Sequence, residues 1–219
     1  MKEEGSSANI IVISILIGVV LLIVAILGFS GKETVTLPLK FEEFTDFQCP
    51  ACRSYHPIVK KLVAEFSDNV DYEYKYFPLT EIHVNAYNAA LAGQAAKLQG
   101  KFTEMSDVLF TNLGKREEVQ QNGVQLSSLK MTDNEFYTYA TEIPGLDIEK
   151  FKNDFNSSEV KAIVDADIQL GKTRNVNATP TFYINGKKVV FADGSNPEDV
   201  LRSTINEKIA LGLKQQTAK

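Results

Sequence analysis

The segment Asp46–Pro57 reads DFQCPACRSYHP and holds both cysteines of the chain, Cys49 and Cys52, with two residues between them. The sequence before the pair has extended character. Leu37–Phe47 (LPLKFEEFTDF) is short and dense in apolar and aromatic residues, the signature of a buried strand. After the pair the pattern turns helical. Val59, Leu62, Val63 and Phe66 fall at i, i+3, i+4 and i+7, one face of a helix that starts near Pro50. Pro57 lies inside that stretch and is expected to kink the helix or divide it. Val70–Phe77 (VDYEYKYF) then alternates Val70, Tyr72, Tyr74 and Tyr76 with Asp71, Glu73 and Lys75, a period of two. Strand, helix and strand make a βαβ unit, with the cysteine pair where the first strand ends and the helix begins.

That position has chemical consequences. The first-turn N–H groups of a helix are unpaired, and its dipole is positive there. Both favour thiolate over thiol at Cys49, making it nucleophilic near neutral pH. Cys52 is one turn on, within bridging reach, and can resolve a mixed disulfide by attacking Cys49. Pro50 suits the first turn because its missing N–H has no partner to lose there. Three other uses of the pair stay open. A purely structural disulfide would close a tiny loop and remove little entropy from the unfolded chain. Zinc needs more ligands than two cysteines; His56 is close in sequence, but there is no second CxxC. Cu(I) is content with two thiolates. Reversible thiol–disulfide exchange fits a CxxC at a strand–helix junction best.

Downstream, Asn85–Phe110 is rich in Ala and Leu, with Gly100 placed to end a helix. TDNE (Thr132–Glu135) and NSSE (Asn156–Glu159) read as helix starts, and Val160, Ile163, Val164 and Ile168 form an apolar face after the second. Strand character returns in TPTFYI (Thr179–Ile184) and KKVVFA (Lys187–Ala192), joined by the hairpin signal Asn185-Gly186. A helix closes the domain, with Asn196 as N-cap and Pro197 at its first position. The expected order is β-α-β, a run of helices, then β-β-α.

Ahead of this domain, Ile10–Phe29 is an uncharged apolar run with Ser14 as its polar break. At about 1.5 Å per residue, about twenty helical residues span roughly the 30 Å of a bilayer's hydrocarbon core. The chain is therefore read as a tail (1–9), a transmembrane anchor (10–29), a linker (30–36), a folded domain (37–212) and a C-terminal tail (213–219). A cleaved signal peptide is the competing reading, with Gly28 and Ser30 as its small residues, but its apolar core would be only about 7–15 residues. Lys2 and Lys32 leave the positive-inside rule nearly silent on orientation. With 23 basic and 28 acidic residues, a net charge of −5, the chain offers no basic stripe for nucleic acid.

Four segments in order (FTDFQCPACRSYHP, KYFPL, AALAGQAAKLQGKFTEMSDVLF and NATPTFYINGK) resemble the DsbA-like thiol–disulfide oxidoreductases of the thioredoxin superfamily, more narrowly their membrane-anchored bacterial members. The resemblance covers most of Leu37–Ile209. It implies a thioredoxin-like α/β fold interrupted by a helical domain at about residues 83–172. It also implies Cys49 as the attacking thiol and Cys52 as the resolving one. Thr179-Pro180 matches the family's cis-proline loop, where the Thr179 backbone would pair with an extended substrate segment. Pro50 and Ala51, between the cysteines, are the other candidates for substrate contact. Glu43, six residues before Cys49, matches an acidic position beneath the active site whose carboxylate could relay the proton of Cys52. Two positions depart from strongly oxidising DsbA. That protein has a histidine between its cysteines where Pro50-Ala51 stand here, and Thr179 is closer to the isomerase branch. The implied protein is a single-pass membrane enzyme with its catalytic domain outside the cytoplasm. It would introduce disulfides into reduced or unfolded proteins, require no metal or other cofactor, and be reoxidised by a quinone-linked membrane oxidase. A reductase or isomerase using the same pair, and a copper-handling domain, are the alternatives.

Overall fold

A computed structural model describes residues 34–120 and 130–218. The expected N-terminal tail and the apolar run Ile10–Phe29 lie outside the described residues. No helix among the described residues is long and apolar enough to cross a membrane.

The sheet is built around the strand that precedes the cysteines. β1 (Leu39–Thr45) pairs in parallel with β2 (Val70–Tyr76) and antiparallel with β3 (Thr181–Ile184), which continues to the edge strand β4 (Lys187–Lys188). The order is β2-β1-β3-β4. A central strand is covered on both faces, so β1 is buried everywhere except Lys40, even at Glu42 and Glu43. Helix α1 (Pro50–Glu65) connects β1 to β2. Pro57 does not divide it: α1 is continuous, and the exposed proline removes only the N–H that would have served the Arg53 carbonyl.

Side-chain alternation sorts the sheet into two faces. Phe41, Glu43 and Thr45 align with Tyr72, Tyr74 and Tyr76 on one side, and Phe182 and Ile184 of β3 share their face. Against this face pack α1, through Val59 and Leu62, and the C-terminal helix α7 (Pro197–Thr217), through Leu201 and Ile205. The other face presents Phe44, Phe77 and Tyr183 to Leu170 and Val176.

Between β2 and β3 the chain makes the inserted helices α2 (Ala86–Lys97), α3 (Phe102–Gln120), α4 (Asp133–Thr141), α5 (Ile148–Asn156) and α6 (Ser158–Thr173). The alanines of α2 have a packing purpose. Every residue from Ala89 to Ala96 is buried, so small side chains let neighbouring helices close in from several sides. Helix starts follow the local chemistry. The Thr132 N–H donates to Glu135 Oε2 at 2.7 Å, the Val160 N–H to Ser157 Oγ at 3.1 Å, and the Glu198 N–H to Asn196 Oδ1 at 2.9 Å.

Two boundaries differ from expectation. Asn185 and Gly186 turn the hairpin with φ of 47° and 78°, but β4 keeps only two residues of KKVVFA. The Val189 N–H still reaches the Phe182 carbonyl at 2.8 Å; Val190 is then 80% exposed and the chain has left the sheet. At the other end, residues expected as a tail belong to α7, and Gln215 Oε1 accepts the Val35 N–H at 2.9 Å.

Helix α6 approaches the sheet so closely at Gly171 that a Cβ there would lie 2.4 Å from the Phe77 ring and 3.2 Å from the Phe44 ring. Both rings are buried. Gly171→Ala is therefore expected to destabilise the fold by about 1–3 kcal/mol, the usual cost of overpacking, measurable as a lowered midpoint in urea. An unchanged midpoint would mean that α6 can move away freely.

Candidate active site

The turn from β1 into α1 is held by one carboxylate. Asp46 Oδ1 accepts the Gln48 N–H at 2.8 Å, while Oδ2 accepts the Leu79 N–H at 2.9 Å and lies 2.7 Å from His83 Nδ1. Gln48 Oε1 in turn accepts the Asn85 N–H at 2.8 Å, and Asn85 Oδ1 the Met131 N–H at 2.7 Å. The segment that presents Cys49 is thus laced through side chains to the start of the insertion. Sequence reasoning left Asp46, Gln48, His83 and Asn85 unassigned, and no periodicity marks them, because each bond joins distant stretches of chain.

Cys49 is the N-cap of α1 and 7% exposed; Cys52 is fully buried behind it, and both are free thiols. The Thr179–Pro180 peptide is cis, and the Thr179 carbonyl lies 3.4 Å from Cys49 Sγ. Hydrogen bonding lowers the Cys49 thiol to about 6: the Cys52 S–H donates to its sulfur, burial opposes, and Thr179 and the N–H groups of Cys52 and Ala51 add to the lowering. Pro50 and Ala51 carry no side-chain donor, so within this turn the N–H groups of Ala51 and Cys52 act on the sulfur. Pro50 and Ala51 are both exposed at the mouth of the site. Cys52 moves the opposite way. Burial holds its thiol protonated far above the usual range, helped by the hydrogen bond it gives Cys49 and by the charge on that sulfur.

Three buried carboxylates surround this turn, and their partners separate their roles. Glu42 faces the opposite side of the sheet and meets Arg174 Nη1 at 2.8 Å, the guanidinium lying over the Phe44 and Tyr183 rings. Asp46 is taken up by N–H donors and His83. Glu43 has only hydroxyls: the Tyr72 O–H donates to its Oε2 at 2.5 Å, and Thr45 lies beside it on β1. Burial outweighs both and raises Glu43 to about 7, so it can hold or release a proton near neutral pH. The structure brings Glu43, Cys49, Cys52, Thr179 and Pro180 to one end of the sheet. His56 is engaged elsewhere: its Nε2 lies 2.7 Å from Asp107 Oδ1 of α3, and its ring packs on Phe110. Burial pushes the His56 pKa down against the pull of Asp107. Among the described residues, no three His, Cys, Asp or Glu side chains converge as a metal site would require.

The family model described as Thioredoxin matches residues 36–207. This chain belongs to the thioredoxin family. It is 28% identical over 184 residues to a Bacillus cereus protein named "Probable disulfide bond formation protein D", covering 82% of this chain and 77% of that one. It is also 36% identical over 153 residues to the Na(+)/H(+) antiporter NhaA 1 of Mycolicibacterium gilvum, 69% of this chain but 22% of the antiporter. The chain thus spans about a fifth of the antiporters it matches. Oxidoreductase DsbA from Xylella fastidiosa superposes with a TM-score of 0.62 over 83% of this chain and 87% of that one, at 19% identity, a likeness of fold. The shared architecture is a thioredoxin sheet with a helical insertion, as the resemblance implied.

The Glu43 environment gives a signed pH dependence. Its carboxyl keeps its proton to about pH 7 in the fold against 4.5 in the free side chain. The stability this confers is complete below pH 4.5 and is lost as pH rises through 7. Glu43→Gln removes the ionisation, so relative to wild type it is expected to gain stability between those pH values and to keep the gain above them, by roughly 3 kcal/mol at about 1.36 kcal/mol per unit. Melting temperatures of the reduced proteins from pH 4 to 8 measure this; a difference independent of pH would show that Glu43 does not titrate there.

Proposed function

We propose that this chain is a protein thiol–disulfide oxidoreductase that introduces disulfides into secreted or membrane proteins. The observation that carries the reading is the Cys49 thiol, lowered to about 6 at the start of α1 and facing the Thr179–Pro180 loop. A thiolate stabilised in the dithiol state shifts the couple toward reduction, so the Cys49–Cys52 disulfide becomes the oxidising species. The name of the Bacillus cereus relative supports the same direction.

In the cycle, a substrate thiolate attacks Cys49 Sγ of the disulfide. A substrate–Cys49 bond forms, the Cys49–Cys52 bond breaks, and its electron pair goes to Cys52. A second thiolate of the substrate then attacks the substrate sulfur of the mixed disulfide, releasing an oxidised substrate and a Cys49 thiolate. The backbone of Thr179 would hold the extended substrate, with Pro50 and Ala51 flanking the reacting sulfur. A membrane disulfide oxidase of the quinone-linked type would restore the disulfide. The apolar run Ile10–Phe29 would anchor the chain once, N-terminus inside, with the catalytic domain on the oxidising side of the membrane.

Cys49→Ser is expected to abolish oxidation of a reduced dithiol peptide, whereas unaltered turnover would overturn the mechanism. The direction is tested by equilibrating the wild-type domain in glutathione buffers. A potential near −120 to −180 mV is expected, and one near −270 mV would make the protein a reductase; about 30 mV corresponds to 1.4 kcal/mol for this two-electron couple. The full chain is expected to stay with membranes through an alkaline carbonate wash, and its release by that wash would exclude the anchor.

A further inference from the structure

The proton that Cys52 must lose or gain in each exchange has to travel through the protein interior. Cys52 is sealed behind Cys49, and the Glu43 carboxylate makes its hydrogen bond to the Tyr72 hydroxyl. Tyr72 commits its hydroxyl proton to Glu43, whereas the side chains that act on the Cys52 thiol by hydrogen bonding are Cys49, Thr45 and Thr179. One side chain bears on both groups. Thr45 ends β1, two residues after Glu43 and so on the same sheet face. It is 1% exposed, and its hydroxyl is buried with no hydrogen-bond partner in the resting arrangement. That hydroxyl is near enough to both Glu43 and Cys52 to favour the charged form of each. A buried polar group without a partner calls for an explanation. A hydroxyl can accept one proton while donating another, whereas a valine of the same shape would fill the space without this capacity.

We propose that the Thr45 hydroxyl is the bridge across which a proton passes between Cys52 and Glu43. The inference rests on the oxidoreductase reading above. When a substrate thiolate breaks the Cys49–Cys52 bond, the electron pair arrives on Cys52 Sγ. Cys52 takes the Thr45 proton as Thr45 takes the Glu43 proton, leaving a neutral Cys52 thiol, an unchanged hydroxyl and a Glu43 carboxylate. In reverse, Glu43 receives the Cys52 proton through Thr45, and the Cys52 thiolate attacks Cys49 Sγ in a mixed disulfide and expels the substrate thiolate.

The test follows the reduced full chain as it reacts with 5,5′-dithiobis(2-nitrobenzoate), which releases coloured thiolate in two phases. The first reports attack by Cys49, and the second reports expulsion of the mixed-disulfide thiolate by Cys52. Thr45→Val is expected to leave the first phase unchanged and to slow the second about ten- to a hundredfold near pH 7, with the loss shrinking as pH rises. Thr45→Ser is expected to restore the second phase. Glu43→Gln should slow the second phase similarly, and the double variant should be no slower than either single one. A wild-type second phase in Thr45→Val overturns the bridge, as does failure of Thr45→Ser to restore it or an additive double variant. If Thr45→Val loses its near-ultraviolet circular dichroism, Thr45→Ala is read in its place against the same serine rescue. Absence of the first phase in the wild type would instead overturn the oxidoreductase reading.

Discussion

The Asp46 carboxylate fixes the direction in which the chain leaves the sheet. Sealed from water, it collects two backbone N–H groups and the His83 ring, one donor from its own turn and two from the segment that opens the insertion. Everything nearby inherits that geometry. Cys49 becomes the cap of α1, Cys52 falls behind it, and Phe47 is driven into the helical core, where it stacks on Tyr74 with ring centroids 5.1 Å apart. An acid placed here costs the fold its desolvation, and the three donors are what offset it.

Neighbouring carboxylates show how environment alone assigns chemistry. Glu42, Glu43 and Asp46 are all buried within five residues of chain. A guanidinium pairs with the first, and two N–H donors and the His83 ring hold the third in place. The middle one meets hydroxyls and is left with a proton it can hold or yield near pH 7. The cysteines divide in the same manner. Cys49 draws on N–H groups and the Cys52 thiol, whereas Cys52 lies deep in the core and keeps its proton.

Much of this architecture was legible in the sequence, because its signals are local. The alternation of Val70–Tyr76, the apolar face after Pro50, the Asn185-Gly186 turn and the Asn196-Pro197 cap each depend on residues within one element. What was illegible depends on encounters between elements. Nothing near Glu43 says which of three acids will meet Arg174 from 132 residues away. Nor does the KKVVFA pattern reveal that the chain leaves the sheet after Val189. The proline at position 57 leaves α1 undivided for a related reason: its local penalty is real, but packing of Val59 and Leu62 on the sheet carries the helix through it.

The cysteines themselves belong to the core of the inserted helices. Phe47, Cys49 and Cys52 cluster with Leu91, Met105 and Leu109, while the sheet keeps a separate core built on Phe41, Leu62 and Leu201. The insertion therefore serves as the back wall of the reactive thiols. A minimal version of this protein made by splicing β2 directly to β3 would uncover them, so the redox centre and the insertion can be transplanted to another scaffold only as one piece.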